Sequence, residues 1–154
     1  ILPILLLIAA ITVRISGDEQ VWVDLAPVPY EMKVPADIAE RITVEDQAGD
    51  KGEGFMKQAF DDGALGVVAL SYQPVKGEKT WFMGAYYFVE ADLDKTSNPD
   101  EVPPYGFKLI TRDDMALSVV GPQDSIFEPM SQDGKNITKL YDILYEAKSY
   151  RFVG

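Results

Sequence analysis

The densest apolar pattern in the chain lies at residues 66–91. Val67, Val68, Ala69 and Leu70 run together before Ser71 and Tyr72. After a turn-rich stretch at 73–79, a second run carries Trp81, Phe82, Met83, Tyr86, Tyr87, Phe88 and Val89. Their β-branched and aromatic content, broken by Pro74 and Gly77, predicts a hairpin in the middle of a sheet. Within the second strand Tyr86, Phe88 and Glu90 should share one face, with Tyr87 and Val89 on the other.

Upstream, residues 20–25 alternate, with Val21, Val23 and Leu25 on one side and Trp22 and Asp24 on the other, as in a half-buried strand. Pro27 and Pro29 interrupt that ladder before residues 30–34 resume an extended pattern, which places the prolines at an edge or bulge. Residues 35–42 predict a short helix, with Pro35 at its first position and Ile38 and Ile42 four apart. Residues 47–54 are glycine-rich and charged, hence a loop. Over residues 53–62, Phe55, Met56, Ala59 and Phe60 form one stripe of an amphipathic helix, and Gly63 is placed to close it in the left-handed conformation.

Downstream, residues 92–104 are polar and proline-rich and predict a surface loop. Residues 106–111 and 115–121 are strand-like and meet at Arg112, Asp113 and Asp114, a second hairpin. The clearest helix follows Gly134, where Ile137, Leu140, Tyr141, Leu144 and Ala147 fall at helical spacing opposite Lys139, Asp142 and Glu146. Residues 150–153 add a terminal strand. The expected architecture is a single α+β domain over 20–154, an antiparallel sheet packed by two helices.

Residues 1–13 are uncharged and apolar up to Arg14. A spanning helix needs about 17 to 25 such residues. Residues 1–14 are therefore read as a hydrophobic membrane anchor or signal segment, of which this run is the C-terminal part. The domain is expected on the extracytoplasmic side.

Charge and missing residue types narrow the chemistry. The net charge of -11, from 14 basic and 25 acidic residues, opposes phosphate backbones, so no nucleic-acid partner is expected. The chain has no cysteine and no histidine. That excludes serine–histidine and cysteine–histidine hydrolases, disulfides and thiolate-ligated metals, and no cofactor or metal is expected.

From Ala69 onward the chain resembles the GyrI-like effector-binding domain of the SOUL-type superfamily. The resemblance lies in Ser71-Tyr72-Gln73-Pro74, the aromatic strand Trp81-Phe82-Met83-Gly84-Ala85-Tyr86, the stretch from Pro104 to Ile110, the stretch from Met115 to Pro122, and the amphipathic helix beyond. It is similar in particular to a membrane-tethered branch with a short apolar N-terminal segment. The resemblance implies a barrel-like α+β fold with a groove that binds small molecules or partner proteins rather than catalysing. Drug-binding members hold cations with a buried glutamate among aromatics, and the position here that fits is Glu90.

Trp81, Tyr86, Phe88 and Glu90 are accordingly the candidate ligand-binding residues, since aromatic faces with one carboxylate suit an organic cation. The ordinary alternative is that the aromatics are core and Glu90 is solvated at the strand end. Asp92, Asp94, Asn98 and Glu101 offer calcium-type oxygens without the EF-hand spacing. Asp113 and Asp114 are paired carboxylates at a turn, where aspartate is favoured for local hydrogen bonding. Asn136-Ile137-Thr138 fits the glycosylation pattern. The expected function is a membrane-tethered, non-catalytic module that recognises a small ligand or a protein partner. The alternative is an accessory subunit of a larger membrane complex with no ligand of its own; a hydrolase or isomerase using Asp or Glu with Tyr ranks third.

Overall fold

A computed structural model describes residues 19–154. The expected anchor at 1–14 lies outside them, and no helix among the described residues is long and apolar enough to cross a membrane. The chain forms β1 (Gln20–Asp24), β2 (Tyr30–Pro35), α1 (Ala36–Ala39), β3 (Ile42–Asp46), α2 (Gly54–Asp61), β4 (Gly66–Tyr72), β5 (Thr80–Val89), α3 (Glu90–Asp94), β6 (Phe107–Arg112), β7 (Met115–Val120), α4 (Gln132–Leu144) and β8 (Tyr150–Phe152). The α+β class holds, but the single expected sheet is two antiparallel sheets: β1-β2-β8 and β3-β4-β5-β7-β6. Four helices are present rather than two, and the strands close no barrel among the described residues.

Two apolar clusters explain why β4, β5 and β7 carry such continuous apolar runs. Val68, Leu70, Met83, Ala85, Leu117 and Val119 face a large core shared with β2, β8, α1 and α4. Their alternates Val67, Tyr86, Phe88 and Ala116 face a smaller core under α2, α3 and Tyr105. The central strands are thus buried on both sides, which erases the hydrophobic–polar alternation of a one-sided sheet.

The helix predicted over 35–42 ends at Ala39 because Ile42, Thr43 and Val44 are β-branched and pair with Tyr72, Ser71 and Leu70 instead. That strand, β3, is the largest miss of the sequence reading. Along β1, an edge strand, the alternation is only partly realised: Val23 is half-buried and Val21 37% exposed, while Leu25, one residue past the strand, is fully buried. Its Trp22 is covered by cations, with the Arg151 guanidinium 4.1 Å and the Lys33 ammonium 5.8 Å from the ring centroid. The two prolines at 27 and 29 sit in the turn between β1 and β2.

Helix α2 ends as its sequence indicates. Gly63 has φ +109, its N–H donates to Phe60 O at 3.2 Å, and the Ala64 N–H donates to Ala59 O at 2.9 Å, the paired bonds of a Schellman motif. Helix α4 begins before Gly134, since Ser131 caps it by accepting from the Gly134 N–H at 3.0 Å. It stops at Leu144, so Ala147 leaves the predicted stripe for a separate turn. At the tip of the β6–β7 hairpin Asp113 and Asp114 both have positive φ, +50 and +66, as a two-residue turn matched to strand twist requires.

Candidate functional site

The site begins with a slip in the β4–β5 pairing. Leu70 pairs with Met83 and Ser71 with Trp81, leaving Phe82 as an extra residue. Strict alternation would put Trp81 and Tyr86 on opposite faces. The bulge resets the phase, so Phe82 and Met83 both enter the larger core while Trp81 joins Tyr86 and Phe88 on the α2 side.

Gly84 then makes room. A β-carbon there would stand 3.2 Å from Tyr86 Cε2, 3.4 Å from Tyr86 Oη and 3.1 Å from Met56 Cε. The Tyr86 ring therefore lies back over Gly84, and Met56 reaches in from α2. A glycine inside a strand often marks such a close approach.

These residues border an open cleft of about 430 Å³. Its sheet side is Trp81, Tyr86 and Val120, its helix side is Phe55 and Met56, and its far wall is Val102, Pro103 and Pro104 from the α3–β6 connection. Glu53, just before α2, is the only charged residue in the lining. Phe55 is 60% exposed and Val102 87% exposed, so apolar surface continues onto the rim. A second cavity of about 500 Å³ shares Phe55, Val102 and Pro104 and extends towards Asp62, Asp92, Lys95 and Glu101.

Beneath the cleft Tyr105 is fully buried, its ring centroid 5.2 Å from that of Tyr86 and 5.4 Å from that of Phe88. Its hydroxyl donates to Asp62 Oδ2 at 2.5 Å. Burial first, and then that hydrogen bond, push the Tyr105 phenol well above its ordinary range. Burial alone pushes the Tyr86 phenol up to about 12. Both hydroxyls are therefore proton donors at neutral pH.

The four residues expected to form the site are divided. Trp81 and Tyr86 line the cleft. Phe88 is buried against Tyr105, where it supports the floor. Glu90 is not on the strand face: it is the first residue of α3, and its N–H donates to Asp114 O at 2.7 Å. Nine residues of extended chain put it roughly 30 Å along from Trp81. Its carboxylate pairs with Lys108 at 3.1 Å, and Lys108 also meets Asp94 at 2.8 Å. Bonds to Asp94 first and Glu90 second raise the Lys108 pKa.

Seven cleft residues, Glu53, Phe55, Met56, Val102, Pro103, Pro104 and Val120, were not among the candidates. The available signal was Val102-Pro103-Pro104, an apolar wedge inside an otherwise polar stretch. The other singled-out motifs have structural roles. Asp92 meets Lys95 at 3.6 Å, and Asp113 and Asp114 form the hairpin turn. Asn136 is 3% exposed, its Nδ2 donates to Tyr72 Oη at 2.9 Å and its Oδ1 accepts from Gln132, so the folded chain does not offer it to a glycan.

Compared with known proteins, the chain matches no family model, and no curated protein or solved structure is significantly similar to it.

Proposed function

We propose that the chain is a membrane-tethered, non-catalytic binding module of GyrI-like type that takes a small organic ligand into the cleft between α2 and β5. The tether is the apolar segment at 1–14, and the domain faces the extracytoplasmic side. The GyrI-like part of the reading rests on the motifs between Ser71 and Pro122.

The observation that carries the proposal is the cleft. Its volume of about 430 Å³ falls within the roughly 300–1,000 Å³ of small-molecule sites. Its walls are apolar and aromatic with few polar groups, the composition such sites share. A non-catalytic role is supported by the lining, which pairs no nucleophile with a neighbouring base and offers Glu53, an exposed carboxylate, as its one charge. A cationic aromatic ligand would meet Glu53, not Glu90, at the mouth. The net charge of -11 adds long-range attraction for it.

The test uses Trp81 as reporter, with the other tryptophan, Trp22, replaced by phenylalanine. Titration with a naphthylmethylammonium probe is expected to give a saturable change in Trp81 fluorescence. Gly84→Val, which puts branched carbon where Tyr86 and Met56 now lie, should weaken that binding by more than about tenfold, on the order of 1.4 kcal/mol. Equal affinity in the two proteins, or no saturable binding in either, would remove the ligand reading.

The accessory-subunit reading draws on one further observation. Trp81 also borders a small cavity whose edge is Ile126, 78% exposed, so the apolar surface extends past the cleft. Such a surface marks protein contact sites as well as ligand sites. Co-purification of a stoichiometric partner lost on Ile126→Glu, with no binding of small probes, is the result that would favour it.

A further inference from the structure

Tyr86 is 1% exposed, and its side chain lines the cleft. Its hydroxyl meets no hydrogen-bonding side chain among the described residues, and burial is the sole cause of its altered acidity. Its Oη lies over Gly84, near the methyl of Met56 that borders the same cleft. The phenol thus borders an apolar cavity, and among the described residues its proton is uncommitted.

A ligand that fills the cleft excludes solvent from this donor. If it brings only hydrocarbon to that point, the O–H is left unpaired in an apolar setting, which weakens binding by about 5- to 150-fold. The charge of the lining restricts the answer further. Glu53 is the sole charged lining residue and is itself exposed. An ion at the depth of Tyr86 would lose its hydration with no counter-charge beside it. Resting on the ligand reading above, we propose that the ligand is a flat aromatic molecule whose inner end is a neutral hydrogen-bond acceptor, a carbonyl or ring nitrogen, bonded to Tyr86 Oη. Any positive charge it carries stays at the Glu53 mouth.

The test compares two probes of the same shape, acetylnaphthalene and isopropenylnaphthalene, which differ by a carbonyl oxygen against a methylene group. They are titrated into the full chain with Trp22 replaced by phenylalanine, and into the same chain carrying Tyr86→Phe or Gly84→Val. The expected result is a preference for the acetyl probe of about 10- to 100-fold that Tyr86→Phe abolishes, chiefly by raising the affinity for isopropenylnaphthalene, whose binding no longer leaves a hydroxyl unpaired. Naphthoate should bind at least about tenfold more weakly than acetylnaphthalene. If both neutral probes bind, and Gly84→Val blocks them, but Tyr86→Phe leaves their ratio unchanged, the acceptor inference is wrong and the cleft reading stands. Naphthoate binding as tightly as acetylnaphthalene would likewise overturn the neutral inner end. If neither probe binds, or Gly84→Val binds both as well as the parent chain, the cleft reading falls and the inference with it.

Discussion

Leu140→Ala is expected to destabilise the domain by about 3–5 kcal/mol, the upper part of the range for a buried leucine. Leu140 is fully buried on α4, in the cluster that joins Met32 of β2, Met83 of β5, Leu117 of β7 and Tyr150 of β8. Because those residues belong to both sheets, collapse of the cavity on one side would strain the other, so little of the lost contact is recovered. Leu144, also fully buried one turn on, should behave alike. Lys139 lies on the exposed face, and Glu146, past the end of the helix, makes only an exposed pair with Lys148. Lys139→Ala and Glu146→Ala should stay within about 0.5 kcal/mol. Chemical denaturation monitored by circular dichroism gives these values directly. Leucine variants with unchanged midpoints would remove α4 from the core.

Gly106→Ala should cost at least as much, for a different reason. Gly106 has φ +74, and a β-carbon there would lie 1.9 Å from Val119 O and 2.6 Å from Val119 C. Both are main-chain atoms of β7, so no side-chain rotation relieves the overlap. Left-handed backbone alone costs a non-glycine residue about 1–2 kcal/mol, and separating β6 from β7 brings the expected total to about 3–5 kcal/mol. The same change moves Tyr105 and Pro104, the floor and wall of the cleft. Loss of probe binding should therefore accompany the fall in denaturation midpoint. A variant with parental stability would show that the close approach of Gly106 to β7 is wrong.

Much of the fold was legible because local chemistry and tertiary packing agree. The Gly63 cap, the Asp113–Asp114 turn and the α4 stripe each depend on a few neighbouring residues. The misses come from places where distant partners decide. Ile42 reads equally well as a helix or strand position, and only β4 beside it settles the choice. Glu90 follows an alternating strand pattern, yet the chain turns at Val89 into α3, leaving Glu90 against Lys108.

For the site, aromatic content pointed to Trp81 and Tyr86, but the reason they meet is not in their spacing. It is the bulge at Phe82, which needs the β4 register to be seen. The opposite wall was invisible for a similar reason. Val102, Pro103 and Pro104 are separated from Phe55 by the whole of the central hairpin and α3, and no periodicity connects the two segments.

The central claim is that the cleft over Gly84 receives an aromatic ligand, and methionine-methyl NMR tests it most directly. Of the five methionines, Met56 lines the cleft, whereas Met32 and Met83 are fully buried in the other core. On addition of acetylnaphthalene the account predicts a saturable ring-current shift of the Met56 methyl resonance, with those of Met32 and Met83 unmoved. Saturable shifts at Met130, an exposed residue, with Met56 unchanged, or no saturable shift at any methionine, would contradict it.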